Sequence, residues 1–345
     1  MIGVNGLGRI GRILVQRLAA EAPQRLCALN DPADLQTLVH LLRHDSVHRP
    51  SPMVVTGEKR SGRDWLRVAD LELPLFHEPD PGSIPFESCG ATLVVEASGR
   101  FTGRDAAARH LRGSVEHVII SAPGKDADIT IIAPVNFDAL DLSQHRIISN
   151  ASCTAHATAP MLRVLEEAFG IEAAGMSTVH VVTNDQRLAD APHKDLRRAR
   201  HAFLSIIPTT SSAFGALHKA LPGLPPGFSG SALRVPTLSV NLVDITATLK
   251  RDVDAAAVNQ AFLDAAAALR WRGILDLAEP ECVSRDFIGR TESVVMDLQL
   301  TRVLGNRFVK VCGWHDNETG YAERLAELVL TMEIEETTNE EHGRK

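Results

Sequence analysis

The chain has 345 residues, of which 44% are hydrophobic and 23% are charged, and its formal net charge at pH 7 is -7. This length suits two domains, and the composition is that of a globular rather than a disordered chain. The negative charge disfavours a nucleic-acid partner. No apolar run reaches the roughly 20 residues that cross a bilayer, and Arg9 and Arg12 interrupt the N-terminus where a signal peptide would be apolar. We therefore expect a cytoplasmic protein with no membrane partner.

The first 150 residues alternate strand-like and helix-like patterns. Residues 1–6 predict a strand, residues 9–20 a helix and residues 25–31 a second strand. Four further strands are expected at 92–98, 117–123, 129–136 and 145–150. One further helix is expected at 103–112. This alternation predicts an α/β fold with a Rossmann-type parallel sheet.

The second half predicts an α+β domain with a mostly antiparallel or mixed sheet. A helix is expected over 153–169, ending at Gly170, and strand patterns cover 175–182 and 238–249. The chain closes with a helix that places five apolar or aromatic residues on one face, which must pack on something. These residues are Tyr321, Leu325, Leu328, Val329 and Met332.

A glycine turn near the N-terminus indicates a dinucleotide site. Gly6, Gly8 and Gly11 have the GxGxxG spacing between the first strand and the first helix, so a pyrophosphate can approach the backbone and the helix N-terminus. Asp31 ends the next strand, where an acid accepts bonds from an adenosine ribose and disfavours a 2′-phosphate. These features favour NAD.

One cysteine and one histidine form a candidate reactive pair. The five cysteines lie far apart without a CxxC pair, which argues against a disulfide framework or a metal site. Cys153 stands at a predicted helix start, where the helix dipole favours a thiolate of low pKa. His180 ends a predicted strand and can act as its base. A thiol nucleophile beside a dinucleotide site suggests aldehyde oxidation through a hemithioacetal and a thioester.

Several motifs occur in order along residues 2–332, among them GVNGLGRIGR, SNASCT, TVHVVTNDQR, HKDLRRAR and DNETGY. Together they resemble the phosphorylating glyceraldehyde-3-phosphate dehydrogenase family, in its bacterial and plastid branch. It implies that Cys153 is the nucleophile and His180 the base that activates it. It also implies a set of cofactor-binding residues: Gly6, Gly8, Arg9, Ile10, Gly11, Asp31, Ser121, Asn317 and Tyr321.

The same resemblance implies two anion sites and an assembly. Substrate phosphate is expected at Thr183, Asp185 and Arg234. Inorganic phosphate is expected at Ser152, Ser211 and Ser212, and Thr154 is expected among the residues that bind substrate or phosphate. The loop 183–207 would lie at a subunit interface of a homotetramer.

The implied domains are a dinucleotide-binding domain at 1–152, completed by a C-terminal helix at 318–333, and a catalytic domain at 153–317. A charged tail follows at 334–345.

Three departures from the family pattern leave questions open. His156, one helical turn after Cys153, is either a structural replacement for asparagine or a modulator of the thiol pKa. Zinc bound by Cys153, His156 and His180 lacks the usual ligand spacing, so no metal is expected. Ser212 replaces a glycine, and serine there would be strained by about 1 kcal/mol if the position required a positive φ. The sequence at 190–192, Asp-Ala-Pro, leaves some use of NADP open.

The resulting hypothesis is NAD-dependent oxidative phosphorylation of D-glyceraldehyde 3-phosphate to 1,3-bisphosphoglycerate, a glycolytic reaction. Its partners would be a small phosphorylated aldehyde and inorganic phosphate. One alternative is a dehydrogenase for a longer sugar phosphate such as erythrose 4-phosphate, releasing the acid by hydrolysis. Another is a cofactor-binding homologue with a regulatory role.

Overall fold

A computed structural model describes the backbone of residues 1–343 and the side chains of residues 1–332. The α-helices are α1 (Arg9–Glu21), α2 (Leu35–Arg43), α3 (Arg104–Ala107), α4 (Cys153–Phe169), α5 (Ala213–Ala220), α6 (Ala255–Ala267) and α7 (Thr319–Gly343). The strands of the first half are β1 (Ile2–Asn5), β2 (Leu26–Asn30), β3 (Val55–Arg60), β4 (Arg63–Val68), β5 (Leu71–Phe76), β6 (Leu93–Glu96), β7 (His117–Ile120), β8 (Ile129–Thr130) and β9 (Ile147–Ser149). The strands of the second half are β10 (Ile171–Val181), β11 (Ile207–Thr209), β12 (Ser229–Val235), β13 (Asn241–Leu249), β14 (Leu275–Leu277), β15 (Val294–Leu304) and β16 (Phe308–His315). Within the described residues, no helix is both long enough and apolar enough to cross a membrane.

The chain folds as two compact units. The first contains residues 1–133 and 137–151 together with the chain from Ala322 onward. The second contains residues 134–136 and 152–321. Helix α7 therefore joins the first unit from Ala322, after the whole second unit has intervened.

The first unit is built on a sheet whose strand order is β3-β4-β5-β2-β1-β6-β7-β9-β8. The strands from β5 to β8 in this order run parallel, and β3 and β4 add an antiparallel edge. The chain order reverses direction at β1, which lies between β2 and β6. This is the switch point at which a doubly wound sheet opens to a ligand, and the glycine turn follows β1 directly.

Apolar residues cover both faces of this sheet. One core joins α1 and α2 to the predicted apolar face of α7, since Leu325, Leu328, Val329 and Met332 are all buried in it. A second core on other sheet residues contains Phe86, Val94 and Val118. The α/β fold class is thus confirmed for this unit, including the parallel sheet.

The second unit contains a sheet of order β11-β12-β10-β13-β16-β15-β14. The pairs β10–β12 and β14–β15 are parallel and the other pairs antiparallel, so the predicted mixed sheet is confirmed. Helix α4 matches its predicted bounds. Ser152 caps its start by accepting a hydrogen bond from the Ala155 amide (3.2 Å), and Gly170 ends it with φ +68°.

Some local predictions are wrong. The helix predicted at 103–112 is only α3 followed by a 3-10 turn. His110 is buried with its Nε2 2.9 Å from a Glu96 carboxylate oxygen, and this tertiary bond tightens the backbone. The strand predicted at 129–136 is limited to β8, and Pro134, which lacks a backbone amide, could not have continued it.

Two further differences concern the edge strands and the C-terminus. Strands β3 to β5 were not predicted, because exposed polar residues dominate β3 and hide its period. Helix α7 continues to Gly343 through most of the segment 334–345 that was predicted as a charged tail. The side chains after Met332, and residues 344–345, lie outside the described residues.

Candidate active site

The glycine turn after β1 has a steric reason for two of its three glycines. Gly6 has φ +97°, and an added Cβ would lie 2.4 Å from the Ser98 amide nitrogen. At Gly11 an added Cβ would lie 1.9 Å from the Gly6 carbonyl oxygen, so only glycine lets α1 approach the turn. At Gly8 no atom lies within 4 Å of the Cβ position. The turn is therefore open on the side of Gly8, which is where a pyrophosphate would approach.

Asp31 fixes this turn and faces the same region. Its carboxylate accepts hydrogen bonds from the amides of Leu7 (2.7 Å) and Ala33 (2.9 Å), one on each oxygen. Each oxygen keeps a lone pair for a ribose hydroxyl. No side chain caps α1 and no acid lies in its first turn, so the helix N-terminus suits an anion. These residues fit a dinucleotide.

The other predicted cofactor residues of the first unit lie around this turn or on the neighbouring strand end. Arg9 begins α1 and donates two hydrogen bonds to the Asp45 carboxylate (2.7 and 3.1 Å), while Ile10 packs partly buried against the core. Ser121 follows β7, and its amide donates to the Glu96 carbonyl (3.0 Å).

Sequence reasoning missed a buried polar cluster at the carboxyl ends of β1, β2 and β6. The Glu96 carboxylate accepts from Asn5 Nδ2 (2.5 Å) and from the Ser98 amide (2.9 Å), and contacts His110. Asn30 donates to Asn5 Oδ1 (2.8 Å). A buried carboxylate is stable only with such bonds, so the cluster fixes the three strand ends that surround the glycine turn.

The second unit brings the predicted thiol and imidazole together. Cys153 is the first residue of α4, directly after the Ser152 cap, and the chain enters through Ala151 in a left-handed conformation (φ +50°). The Sγ atom lies 4.0 Å from His180 Nε2 and 4.0 Å from Thr154 Oγ1. His180 is positioned by the end of β10. The pair therefore has the arrangement of a nucleophile and its base.

The low thiol pKa expected from the helix start is wrong for this geometry. Desolvation by burial raises the pKa of Cys153, and the opposing effects of the Thr154 hydroxyl and the Arg234 guanidinium are smaller. Burial, followed by the charge of Arg234, holds the pKa of His180 well below its usual value. At neutral pH both partners are therefore uncharged, and the imidazole is ready to accept the thiol proton.

The second nitrogen of His180 decides which tautomer is available. Nδ1 lies 2.8 Å from the Val181 carbonyl oxygen, which can only accept, and 2.5 Å from Nη1 of Arg234, which can only donate, so the two contacts favour opposite tautomers. Nη1 has another acceptor in the same Val181 carbonyl (2.9 Å), whereas that carbonyl is the acceptor available to Nδ1–H. When Nδ1–H donates to Val181, the Nε2 lone pair points at the sulfur. That is the tautomer a general base requires.

Of the predicted substrate-phosphate residues, Arg234 contacts His180, while Thr183 and Asp185 follow the end of β10 in the chain. Arg234 pairs in register with His180 across β12 and β10. Its burial lowers its pKa to about 10, so it remains a cation at neutral pH. The Thr183 amide donates to Gln186 Oε1 (3.2 Å), and Asp185 forms an ion pair with Arg198.

Arg198 was not singled out from the sequence, although it lies in the basic run HKDLRRAR. Besides Asp185, it contacts Thr209 Oγ1 (2.7 Å) and the Thr210 carbonyl (3.1 Å). It therefore links the loop of Asp185 to the segment that leads into the predicted phosphate loop.

The predicted inorganic-phosphate loop begins α5 without backbone strain. Ser211 Oγ accepts from the Ala213 amide (3.2 Å). Ser212 has φ -71°, which any residue adopts, so the condition under which a serine would be strained is not met. Phe214 and Ser211 line a cavity of about 450 Å³ next to this loop.

Comparison with known proteins agrees with both units. Residues 1–104 match the family model "Glyceraldehyde 3-phosphate dehydrogenase, NAD binding domain", and residues 152–317 match "Glyceraldehyde 3-phosphate dehydrogenase, C-terminal domain". A glyceraldehyde-3-phosphate dehydrogenase of Geobacillus stearothermophilus is 45% identical over 95% of this chain and 96% of its own. Glyceraldehyde-3-phosphate dehydrogenase 1 of Bacillus cereus is 43% identical, and the protein of the same name from Streptomyces avermitilis is 42% identical. Each of these two alignments covers 96% of this chain and 98% of the relative. The chain belongs to the glyceraldehyde-3-phosphate dehydrogenase family. The resemblance read from the motifs is thereby confirmed, and so is NAD as the cofactor.

Within this family member, the remaining predicted residues of the second unit lie at the start of α7 and just before it. Asn317 Oδ1 accepts from the Val240 amide (3.2 Å), and Val240 is held at φ +71°, a rare conformation for a β-branched residue. Tyr321 is buried, and its ring meets the His156 ring edge-on at 5.8 Å between centroids.

His156, one of the positions that departs from the family pattern, is buried. The side chain is 1% exposed and packs against Tyr321, which agrees with a structural replacement. Among the described residues, no three His, Cys, Asp or Glu side chains are grouped in a way that would hold a metal.

Proposed function

We propose that this chain is a phosphorylating glyceraldehyde-3-phosphate dehydrogenase, which oxidises D-glyceraldehyde 3-phosphate with NAD and inorganic phosphate to 1,3-bisphosphoglycerate. The observation that carries the proposal is the Cys153 thiol at the start of α4, 4.0 Å from His180 Nε2, in a chain of this family. An aldehyde oxidoreductase of this type needs a sulfur that forms and then releases an acyl group.

The first half of the reaction belongs to Cys153 and His180. His180 Nε2 takes the thiol proton while Sγ attacks the aldehyde carbon, and the imidazolium then gives this proton to the former carbonyl oxygen, which completes a hemithioacetal on Cys153 and leaves His180 neutral. Because both partners rest uncharged, the sulfur becomes nucleophilic only as its proton passes to His180, so the attack depends on the contact between Sγ and Nε2. NAD, when bound, supplies the acceptor for the hydride that leaves the hemithioacetal carbon. His180 then takes the hydroxyl proton, and a thioester remains.

The second half is phosphorolysis. An oxygen of inorganic phosphate attacks the thioester carbonyl, and Cys153 leaves as a thiolate that regains a proton from His180. We assign the attacking phosphate to Ser152, Thr154, Ser211 and Ser212, and the substrate phosphate to Thr183, Asp185 and Arg234. The ordinary backbone at Ser212 supports an intact phosphate loop, and it removes the reason for favouring a longer sugar phosphate or hydrolysis.

We assign the cofactor to the first unit's glycine turn and Asp31, with Arg9, Ile10 and Ser121 beside it. Asn317 would hold the nicotinamide carboxamide, with Tyr321 near the ring. The bond from the Val240 amide fixes the Asn317 side chain and leaves its Nδ2 group for the carboxamide. Asp31 opposes a 2′-phosphate, so NADP would be a poor substitute for NAD.

The domain roles follow the same proposal: residues 1–152 with 318–333 bind the dinucleotide, and residues 153–317 carry out the chemistry. We further propose a homotetramer in which the loop 183–207 lies at a subunit interface. Four large apolar residues of this loop are exposed in the single chain by 67 to 81%, which supports a covering partner. They are Leu188, Leu196, Leu204 and Ile206. The cytoplasmic location stays a prediction.

Steady-state kinetics tests the function. NADH formation should require the triose phosphate and inorganic phosphate, and NAD should be preferred to NADP in kcat/KM by at least about tenfold. Erythrose 4-phosphate serves as the competing aldehyde. Turnover that is independent of phosphate, or a higher kcat/KM for the tetrose, would overturn the proposal.

The Cys153→Ser variant separates chemistry from binding. It should lose activity by at least about a thousandfold, because an alcohol is a far weaker nucleophile than a thiol, and should keep the NAD affinity of the parent. Near-normal turnover in that variant contradicts the mechanism.

A further inference from the structure

Four polar residues stand side by side across the second sheet. Arg234 on β12 is paired in register with His180 on β10. The register of β10 with β13 pairs Val179 with Leu242, so the next position places Asn241 opposite His180. On the other side, Asn241 is paired with His315 of β16. Directly opposed residues share one face of a sheet, so this row of Arg234, His180, Asn241 and His315 lies on one face.

Helix α4 covers the face that carries this row. Gly313 precedes His315 by two residues and therefore points to the same side. A Cβ added there would lie 3.2 Å from Sδ of Met161 on α4. The thiol at the start of the same helix contacts His180 in the row. His315 thus belongs to the sheet surface on which the reacting pair is built.

The far end of the row contains buried polar atoms without protein partners. Asn241 and His315 are at most 1% exposed. Asn241 Oδ1 accepts from the Val181 amide (2.9 Å), but Asn241 Nδ2 and both ring nitrogens of His315 find no hydrogen-bond partner among the described residues. Buried polar atoms in folded proteins are nearly always bonded to protein or to an ordered water. Adjacent orphaned atoms of this kind indicate a shared water site.

The two side chains have matching capacities for one water molecule. Burial lowers the pKa of His315 to about 4, so its neutral ring carries one N–H donor and one acceptor nitrogen. Asn241 Nδ2 is a donor. A water between them can accept from Nδ2 and donate to the ring acceptor, which satisfies two of these three buried atoms.

We propose that one ordered water joins Asn241 Nδ2 to His315, and that His315 is thereby a positioning residue for the base His180. The connection runs from His315 to Asn241, and from Asn241 Oδ1 to the Val181 amide. The carbonyl of the same residue, Val181, accepts from His180 Nδ1 (2.8 Å). With Asn241 held, the Val181 peptide keeps its orientation, and His180 keeps the tautomer whose Nε2 faces Cys153. The inference rests on the proposed role of His180.

The test replaces the ring nitrogens while keeping the fold. In His315→Phe, the ring shape stays and the water loses its partner. We expect kcat and the rate of Cys153 alkylation by iodoacetamide at pH 7 to fall about tenfold, with the KM values for NAD and aldehyde within twofold of the parent. His315→Gln keeps polar atoms and should recover most of both rates. His218→Phe is the matched control, since His218 lies in the same unit with its Nε2 3.0 Å from the Phe228 carbonyl; it should leave both rates unchanged.

A double-mutant cycle tests the connection through Asn241. Asn241→Leu removes the acceptor of the Val181 amide, so adding His315→Phe to it should produce no further loss. The inference is overturned if the losses of the two single variants multiply in the double variant. It is also overturned if His315→Phe has the kcat and alkylation rate of the parent. Parental rates in the glutamine variant together with a tenfold loss in the phenylalanine variant support it.

Alkylation is measured without substrate, so it tests His315 even if the aldehyde assigned to the enzyme is wrong. An inactive parent enzyme whose alkylation still depends on His315 would refute the proposed reaction and leave the positioning role standing. An active parent with unchanged His315→Phe kinetics and alkylation would refute only the positioning role.

Discussion

Acidification should destabilise the second unit through His315. Its pKa is about 4 in the folded chain and 6.5 when exposed, because burial disfavours the imidazolium. Between pH 6.5 and pH 4 the His315 imidazole takes up a proton in the unfolded state but not in the folded state. The free energy of unfolding is therefore at its full value above pH 6.5 and decreases as the pH falls towards 4. The loss from this residue is about 2 kcal/mol at pH 5 and about 3 kcal/mol at pH 4, taking 1.36 kcal/mol for each pKa unit.

The comparison of parent and His315→Phe isolates this contribution. Urea unfolding at pH 7.5 and pH 5.0 is followed by tryptophan fluorescence in a Trp65→Phe background, because Trp65 lies in the first unit and Trp271 and Trp314 report on the second. A local probe is needed, since a chain of two units need not unfold in one step. The parent should lose about 2 kcal/mol more than the variant between the two pH values, or about 1 M in urea midpoint for an m-value near 2 kcal/mol/M. Parallel losses in both proteins would refute the reasoning.

Three further predictions concern the glycine turn and the reactive pair. Gly11→Ala should lower the melting temperature by about 5 °C, because its Cβ meets the Gly6 carbonyl. Gly8→Ala should melt at the same temperature as the parent and should weaken only NAD binding, measured by fluorescence titration. Equal melting temperatures for the parent and both variants would contradict this prediction. Arg234→Gln should raise the KM for the phosphorylated aldehyde by about a hundredfold and leave the KM for NAD unchanged, since it removes a charge-assisted phosphate contact; an unchanged aldehyde KM argues against the assignment. The acid limb of kcat/KM should lie below pH 6.5, because burial and Arg234 lower the pKa of His180 and the neutral base persists to lower pH; a limb at or above 6.5 contradicts that direction.

Local signals in the sequence predicted the elements that hold the site. Helix α4 could be predicted from its Ser152 cap and Gly170 terminus, and the turn from its glycine spacing, because both features act within a few residues. The apolar face of α7 was equally readable from its period. Strands β3 to β5 were not predicted because they form by pairing with one another. An exposed polar strand carries no sequence pattern that indicates such pairing.

The reactive pair was predicted by residue type but not by environment. The motifs singled out Cys153 and His180, whose Sγ and Nε2 atoms lie 4.0 Å apart, whereas the direction of the thiol pKa was not predicted. A helix start favours the thiolate, but desolvation of the sulfur wins once α4 packs on the sheet. His315 and Asn241 carried no motif either, and only the register of three strands brings them into one row with His180.

The late return of α7 to the first unit has a consequence for synthesis on the ribosome. Five residues of α7 complete a core whose remaining members are made before position 152, and the 170 residues from Ser152 to Tyr321 come between: Leu325, Ala326, Leu328, Val329 and Met332. At about 5–20 residues per second, the nascent first unit waits roughly 10–35 s with an apolar sheet face uncovered. The second unit is contiguous from Ser152 to Tyr321 apart from residues 134–136, so it can fold first. A chaperone that shields apolar surface would therefore act on the N-terminal half, although that half is translated first.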